Sequence, residues 1–225
     1  MNTLKNVNTI IFDFDYTLGN REIAAYRLFE NLLTKVSGYD PDDIRLASMI
    51  QDCMIWDEYG TSDKLLTHKK LCDKYKVDTG IDNFSLFWNQ HLFLYTELYE
   101  ETISVLKKLK ANGYKLGIIT NGDSYGQRMK LKNAGIKEYF DDMVIGGDYE
   151  KQKPDKSIFE LAVKNLNADK SKTIYVGDIF SNDVIGSSEA GLIPIWIWRH
   201  GNRLVNDKYI QINDLNELLV LLNVE

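Results

Sequence analysis

The stretch Asn8-Thr-Ile-Ile-Phe-Asp-Phe-Asp-Tyr-Thr-Leu18 decides the fold. Its Ile10-Ile11-Phe12 run is apolar, rich in β-branched residues and free of turn residues, so it reads as a strand buried on both faces. The run ends in two carboxylates, Asp13 and Asp15, and a hydroxyl, Thr17. Residues two apart on a strand tend to point the same way, so Asp13 and Asp15 can be presented together where the strand ends. Acids at the tip of a buried strand are costly unless a metal ion, a cationic side chain or a chemical task compensates them.

Downstream of this strand the pattern changes twice. Residues 20–96 carry helical periodicity throughout. Tyr26, Phe29, Leu33 and Val36 fall at steps of three and four, and Gly38 closes that helix. Asp40-Pro41-Asp42-Asp43 signals a helix start, with Asp40 as the cap, and a second helix is predicted to about residue 56. Third and fourth helices are predicted over roughly 62–75 and 83–95. From about Leu98 helices alternate with strands, the strands predicted over 115–120, 143–145, 173–176 and 193–198. Such alternation indicates parallel strands joined by crossover helices. The fold class is therefore α/β, a Rossmann-like parallel sheet with helices on both faces and an inserted all-helical segment. The boundaries read as 1–18 for the first core strand, 19–96 for the helical insert and 97–225 for the rest of the core.

Bulk properties exclude several classes. The 225 residues, 44% of them hydrophobic, can bury a substantial core. A net charge of -6 with interspersed signs argues against a nucleic-acid-binding surface. Cys53 and Cys72 lack metal-finger spacing and fit a reduced, cytoplasmic chain. Residues 1–8 are too short and polar for a signal peptide, and no apolar run approaches the ~20 residues of a membrane helix. His68, His91 and His200 show no metal spacing.

Ligands of open parallel sheets bind beyond the carboxyl ends of the strands. Four polar clusters fall there or at a helix mouth: Asp13, Asp15 and Thr17; Thr120-Asn121-Gly122; Lys153-Pro154; and Gly177-Asp178 through Asn182-Asp183. Together they supply acids suited to Mg²⁺, one Lys, and hydroxyl and backbone donors suited to phosphate. A carboxylate can act as nucleophile, and a second acid two residues on can move the proton. That set fits phosphoryl transfer.

In this order the clusters resemble the four motifs of the haloacid dehalogenase (HAD) superfamily of phosphohydrolases, subclass I, whose cap domain the helical insert resembles. The resemblance implies a Mg²⁺-dependent phosphatase acting on a small phosphorylated metabolite, a nucleoside monophosphate or a sugar or carboxylate phosphate, through an aspartyl phosphate. It implies that Asp13 attacks phosphorus and binds Mg²⁺. Asp15 would exchange protons with the leaving group and water, its carbonyl on the metal. Thr120, Lys153 and the backbone N–H groups of Asn121 and Gly122 would hold phosphoryl oxygens, and Asp178 and Asp183 would complete the metal site, Asp183 directly or through a water. The dehalogenase branch lacks the second motif-one acid, so Asp15 favours phosphate chemistry. Tyr16 stands where family members often carry Gly.

Other readings stay open on the sequence alone. The same motifs serve phosphomutases, and a phosphate-binding regulator without enzymatic activity also places an acid, a Thr and a Lys at strand ends. Lys151 is close enough to replace Lys153, and Asn182 rivals Asp183. Phe84, Phe87, Trp88 and Tyr95 read as helix–helix core or as a stacking pocket. Arg21 reads as a surface residue or as a contact for an anionic substrate, and Trp196 and Trp198 read as core. No membrane or nucleic-acid-polymer partner is expected, and the assembly is a monomer or a homodimer.

Overall fold

The computed structural model describes residues 4, 6–200 and 208–224. Part of the leading segment 1–8, read above for a signal peptide, lies outside them. The chain divides into two compact units, Met1–Asn20 with Leu98–Glu225, and Arg21–Glu97. Helices α1 to α4 (Arg21–Ser37, Ile44–Asp57, Lys64–Tyr75, Phe84–His91) belong to the second unit. Helices α5 to α9 (Thr102–Ala111, Ser124–Ala134, Lys156–Asn165, Gly186–Glu189, Leu215–Leu222) belong to the first. Among the described residues no helix is long and apolar enough to cross a membrane.

The first unit is built on six parallel strands: β1 (Thr9–Phe12), β2 (Lys115–Thr120), β3 (Asp142–Ile145), β4 (Thr173–Gly177), β5 (Ile193–Ile197) and β6 (Ile210–Ile212). Their order is β3-β2-β1-β4-β5-β6. β1 lies at the centre with all four residues buried, as its unbroken apolar run requires. Ile11 is in register with Gly117 on one side and Tyr175 on the other. Alternation then divides the core. Ile10, Phe12, Ile118 and Val176 pack with α5 and α9 residues such as Leu106 and Leu218. Ile11, Ile119, Val144 and Tyr175 pack with Phe159 and Ala162 of α7. Fully burying one such large apolar side chain contributes about 1.5–3 kcal/mol, so this central strand anchors both layers.

Four details depart from the sequence reading. β6 was not predicted, because three residues, Ile-Gln-Ile, are too few to display a period. β5 ends at Ile197 rather than Trp198, although the Trp198 N–H still donates to Ile212 O at 2.9 Å. Where the alternation calls for one regular helix between the fourth and fifth strands, the chain forms a π-helical turn, Phe180–Ile185, followed by the short α8. The second helix is capped by Asp43, whose side chain accepts from Arg45 N, while Asp40 O closes the preceding turn.

The helical unit has its own core. α1 buries Ala25, Leu28, Phe29, Leu32 and Leu33, whereas Tyr26 faces solvent. Phe84 and Trp88 of α4 are buried against it, with Phe29 and Trp88 ring centroids 5.0 Å apart. His68 stacks on Phe84 at 4.4 Å and bonds Thr79 Oγ1 at 2.7 Å, so it is structural. The aromatic stripe of α4 is therefore largely core. Arg21 is buried rather than superficial: it grips Asp57 with two bonds of 2.5 and 3.2 Å. Lys64 reaches the same carboxylate at 2.7 Å. Burial pushes the Asp57 carboxyl up, but Arg21 and Lys64 outweigh it and hold it below the usual carboxylate range.

Asp57→Asn leaves the buried Arg21 and the half-buried Lys64 without their counter-ion, which is expected to cost about 3–5 kcal/mol at neutral pH. A depressed folded-state pKa means that the stabilisation is full above the unfolded value of about 3.9 and lost as pH falls through the folded value. The deficit of Asp57→Asn, read from denaturant unfolding of the full chain, should therefore shrink below about pH 4. A deficit independent of pH would contradict this account.

Candidate active site

β1 has β2 and β4 as its neighbours, so the first, second and fourth polar clusters follow adjacent parallel strands. This is also where strand order reverses, the place where such sheets bind ligands. The third cluster arrives in the loop between β3 and α7. The Asp13 N–H bonds Val176 O at 2.8 Å, extending the β1–β4 ladder into the first acid.

Lys153 joins the clusters. Its buried ammonium donates to Asp13 Oδ1 at 2.7 Å, Asp183 Oδ1 at 2.7 Å and the Tyr175 hydroxyl at 2.8 Å. Asp13, Asp178 and Asp183 are all buried, each with a carboxylate oxygen within 4.8 Å of the others. One ammonium does not neutralise three carboxylates. Burial, opposed by Lys153 and reinforced by Asp183, raises the Asp13 pKa to about 7. Burial together with Asp13 and Asp183 holds Asp178 well above the usual carboxylate range. Burial pulls Lys153 down, but Asp13 and Asp183 outweigh it and keep the ammonium firmly charged. Such a cluster calls for further positive charge, and its all-oxygen donor set fits a hard divalent cation such as Mg²⁺.

The remaining predicted residues take distinct places. Asp15 is half-buried, and its Oδ2 accepts from Gln127 Nε2 at 3.1 Å and Lys130 Nζ at 2.6 Å. Thr120 is buried at the end of β2, its hydroxyl donating to Asn121 O at 3.4 Å. The Asn121 side chain is committed to the Lys153 backbone. Nδ2 donates to Lys153 O at 2.8 Å, and Lys153 N–H donates to Asn121 Oδ1 at 2.9 Å. The Gly122 N–H donates to Gln152 Oε1 at 3.3 Å. Both oxygens of Asp183 are engaged, Oδ1 by Lys153 and Tyr175 and Oδ2 by the Ile179 N–H at 2.8 Å. A Cβ on Gly177 would lie 2.4 Å from Asp183 Cγ, so only glycine lets Asp183 turn back beneath the β4 end. Lys151 pairs with Asp155 at the surface, which leaves Lys153 as the lysine of the site. Tyr16 has φ 58° and is buried against His200, a left-handed conformation that explains the fit of Gly at this position.

Sequence reasoning missed Tyr175, Gln127, Lys130 and Arg199. Tyr175 sits inside an apolar strand, where its ring looked like core; its hydroxyl also donates to Ile119 O at 3.1 Å. Gln127 and Lys130 are three apart on α6, a spacing that marks one helix face. Nothing in the sequence said which face met Asp15. Arg199 binds Thr17 O at 2.9 Å and Glu101 at 2.8 Å, and thereby holds the loop after Asp15.

Comparison with known proteins agrees with this arrangement. Residues 10–197 match the haloacid dehalogenase-like hydrolase family. A glyceraldehyde 3-phosphate phosphatase of Methanocaldococcus jannaschii is 31% identical over 95% of this chain and 96% of its own. The pyrimidine 5'-nucleotidase YjjG of Escherichia coli is 38% identical, in an alignment spanning 44% of either chain. A crystal structure of a HAD phosphatase from Thermococcus onnurineus, 27% identical, superposes with a TM-score of 0.69 over 97% of this chain and 99% of that one. With its motif residues gathered at one end of a parallel sheet and the match running from the first strand to the fifth, the chain belongs to the haloacid dehalogenase-like hydrolases, among relatives that bear phosphatase names.

Proposed function

We propose that the protein is a Mg²⁺-dependent phosphatase that hydrolyses a small phosphomonoester through an aspartyl phosphate on Asp13. One observation carries the reading: Asp13, at the tip of the central strand, is held by Lys153 at 2.7 Å within an acid cluster 4.8 Å across. Names of relatives support the substrate class, since glyceraldehyde 3-phosphate and pyrimidine 5'-nucleotides are both small phosphomonoesters. Substrate choice is assigned to the helical unit, in the role of the subclass I cap.

In the first step an Asp13 oxygen forms a bond to phosphorus as the bond to the leaving oxygen breaks. The electron pair stays on that oxygen, which takes a proton from Asp15. In the second step water attacks phosphorus, gives its proton to Asp15, and phosphate departs with the Asp13 carboxylate restored. Lys153 fixes Asp13 and offers positive charge beside the phosphoryl oxygens, and the Thr120 hydroxyl adds a donor. Mg²⁺, when bound, would be held by Asp13, Asp178 and the Asp15 carbonyl, with Asp183 joined through water, and would supply charge against the phosphoryl oxygens. Engagement of both Asp183 oxygens by protein donors is what favours the water-mediated role.

Phosphate release should be measured over a panel of sugar, carboxylate and nucleoside phosphomonoesters, with Mg²⁺ and with chelator. Release that requires Mg²⁺ and falls by at least about a thousandfold in Asp13→Asn is the expected result. No release from any compound, with a bisphosphate-activated isomerisation in its place, would replace the phosphatase by a phosphomutase. Labelling of Asp13 by a phosphodonor without turnover would replace it by a regulator.

Metal binding can be read separately from turnover. Mg²⁺ at about 100 times its dissociation constant should add about 2.7 kcal/mol to the stability of the full chain. Asp178→Asn should abolish that increment. A metal increment that survives the substitution would remove Asp178 from the metal site.

A further inference from the structure

We infer that Gln127 and Lys130 are positioning residues for Asp15, and that they fix which of its oxygens meets the leaving group. The inference rests on the phosphatase reading above, in which Asp15 is the proton donor, and deepens it.

Three observations converge on this pair. First, Gln127 Nε2 and Lys130 Nζ donate to the same oxygen, Oδ2, at 3.1 and 2.6 Å. Both donors come from one face of α6, three residues apart, so a rigid helix rather than a loop sets their spacing. Second, both residues are themselves buried, each 6% exposed, although Gln and Lys are seldom buried without a polar task. Third, the backbone has made room for the contact. Gly122, with φ +114°, lies so close to the Gln127 amide that a Cβ there would be 3.0 Å from Nε2. A side chain at position 122 would press on the Gln127 amide and make it give by a few tenths of an ångström, so this glycine leaves the amide its room beside Asp15 as well as making the turn.

The chemistry of a carboxylic acid gives the arrangement its consequence. An oxygen that accepts from two N–H donors is the carbonyl-like oxygen of the acid, so the transferable proton belongs on Oδ1. Gripping Oδ2 thus fixes the χ angles of Asp15 and selects the oxygen that delivers the proton. When the bond from phosphorus to the leaving oxygen breaks, the electron pair stays on that oxygen and takes the proton from Oδ1. Asp15 becomes the carboxylate that Gln127 and Lys130 already hold. The same orientation serves the return step, in which Oδ1 takes the proton of the attacking water. Preorganisation of this kind removes a rotational search from the transition state.

A positioning role in proton delivery depends on the leaving group, and a merely structural role does not. An alkoxide leaving group needs the proton, whereas a nitrophenolate departs without it. The comparison is therefore kcat/KM, which reports the steps through departure of the leaving group, for an alkyl phosphomonoester turned over by the wild type and for p-nitrophenyl phosphate. Gln127→Leu and Lys130→Met should each lose at least about tenfold on the alkyl ester and less than about threefold on the nitrophenyl ester, with Asp15→Asn showing the same pattern more strongly. Lys130→Arg should recover much of the alkyl activity. Equal losses on both substrates, or none on either, would overturn the inference, as would a variant set that no longer folds by circular dichroism while Lys130→Arg behaves as Lys130→Met. Wild-type protein that releases phosphate from neither class would overturn the phosphatase reading and this inference with it.

Discussion

The Lys153 ammonium lies 2.7 Å from Asp13 and 2.7 Å from Asp183, inside a cluster that also contains Asp178. Among the described residues it is the single cation paired with any of these three buried acids, bonded to Asp13 and Asp183 and not to Asp178. Without it the carboxyl end of the sheet would gather like charges with no protein counter-charge, at a cost of several kcal/mol per ion. With it, the cluster is still short of positive charge, which is why burial and mutual repulsion raise Asp13 and Asp178 rather than lowering them. The site is thereby poised for a cation and an anion together, as phosphoryl transfer requires.

Much of the surrounding structure serves to hold that ammonium in place. The Asn121 amide locks the backbone of Lys153 from the end of β2, and Tyr175 meets its Nζ from β4 at 2.8 Å. Asp183 reaches it only because Gly177 carries no side chain and the π-helical turn Phe180–Ile185 brings the acid back toward the β4 end. π-turns of this sort recur at functional sites because they re-aim one residue without ending the helix. Elements from four separate parts of the sequence therefore meet on one nitrogen, which ties the integrity of the site to the parallel sheet order.

The sheet was legible in the sequence, and so was the placement of most candidate site residues at strand ends, because those signals are local. An unbroken apolar run identifies a central strand, a strand end identifies a binding edge, and Asp13, Asp15, Thr120, Lys153, Asp178 and Asp183 each stand at such an edge or at a helix mouth. What was not legible depends on rotation and register. Tyr175 alternates with Ile174 and Val176 in a strand where every position is buried, so only the fold reveals that its hydroxyl points to Lys153. Gln127 and Lys130 look like solvated residues of an α6 that is polar overall, and only docking of that helix turns them to Asp15. Arg21 was misread for the same reason: its partner Asp57 is 36 residues away, and no local pattern announces the pair.

The two buried ionic clusters of this chain show how charge balance separates structure from chemistry. In the helical unit, two cations surround one acid. Asp57 is driven below its ordinary range, and the cluster holds its charges firmly. In the α/β unit, one cation faces three acids, Asp13 is driven up to about 7, and the cluster is short of charge. Both are costly to bury and both are rich in hydrogen bonds, so burial and bonding do not distinguish them. The sign of the imbalance does. In the helical unit the acid is outnumbered by its cations and stays ionised, and Arg21, Asp57 and Lys64 form a clamp joining α1, α2 and α3. A cluster left negative at the carboxyl edge of a parallel sheet is completed only by something that binds, and the residues around Asp13 are those a divalent cation and a phosphoryl group would complete.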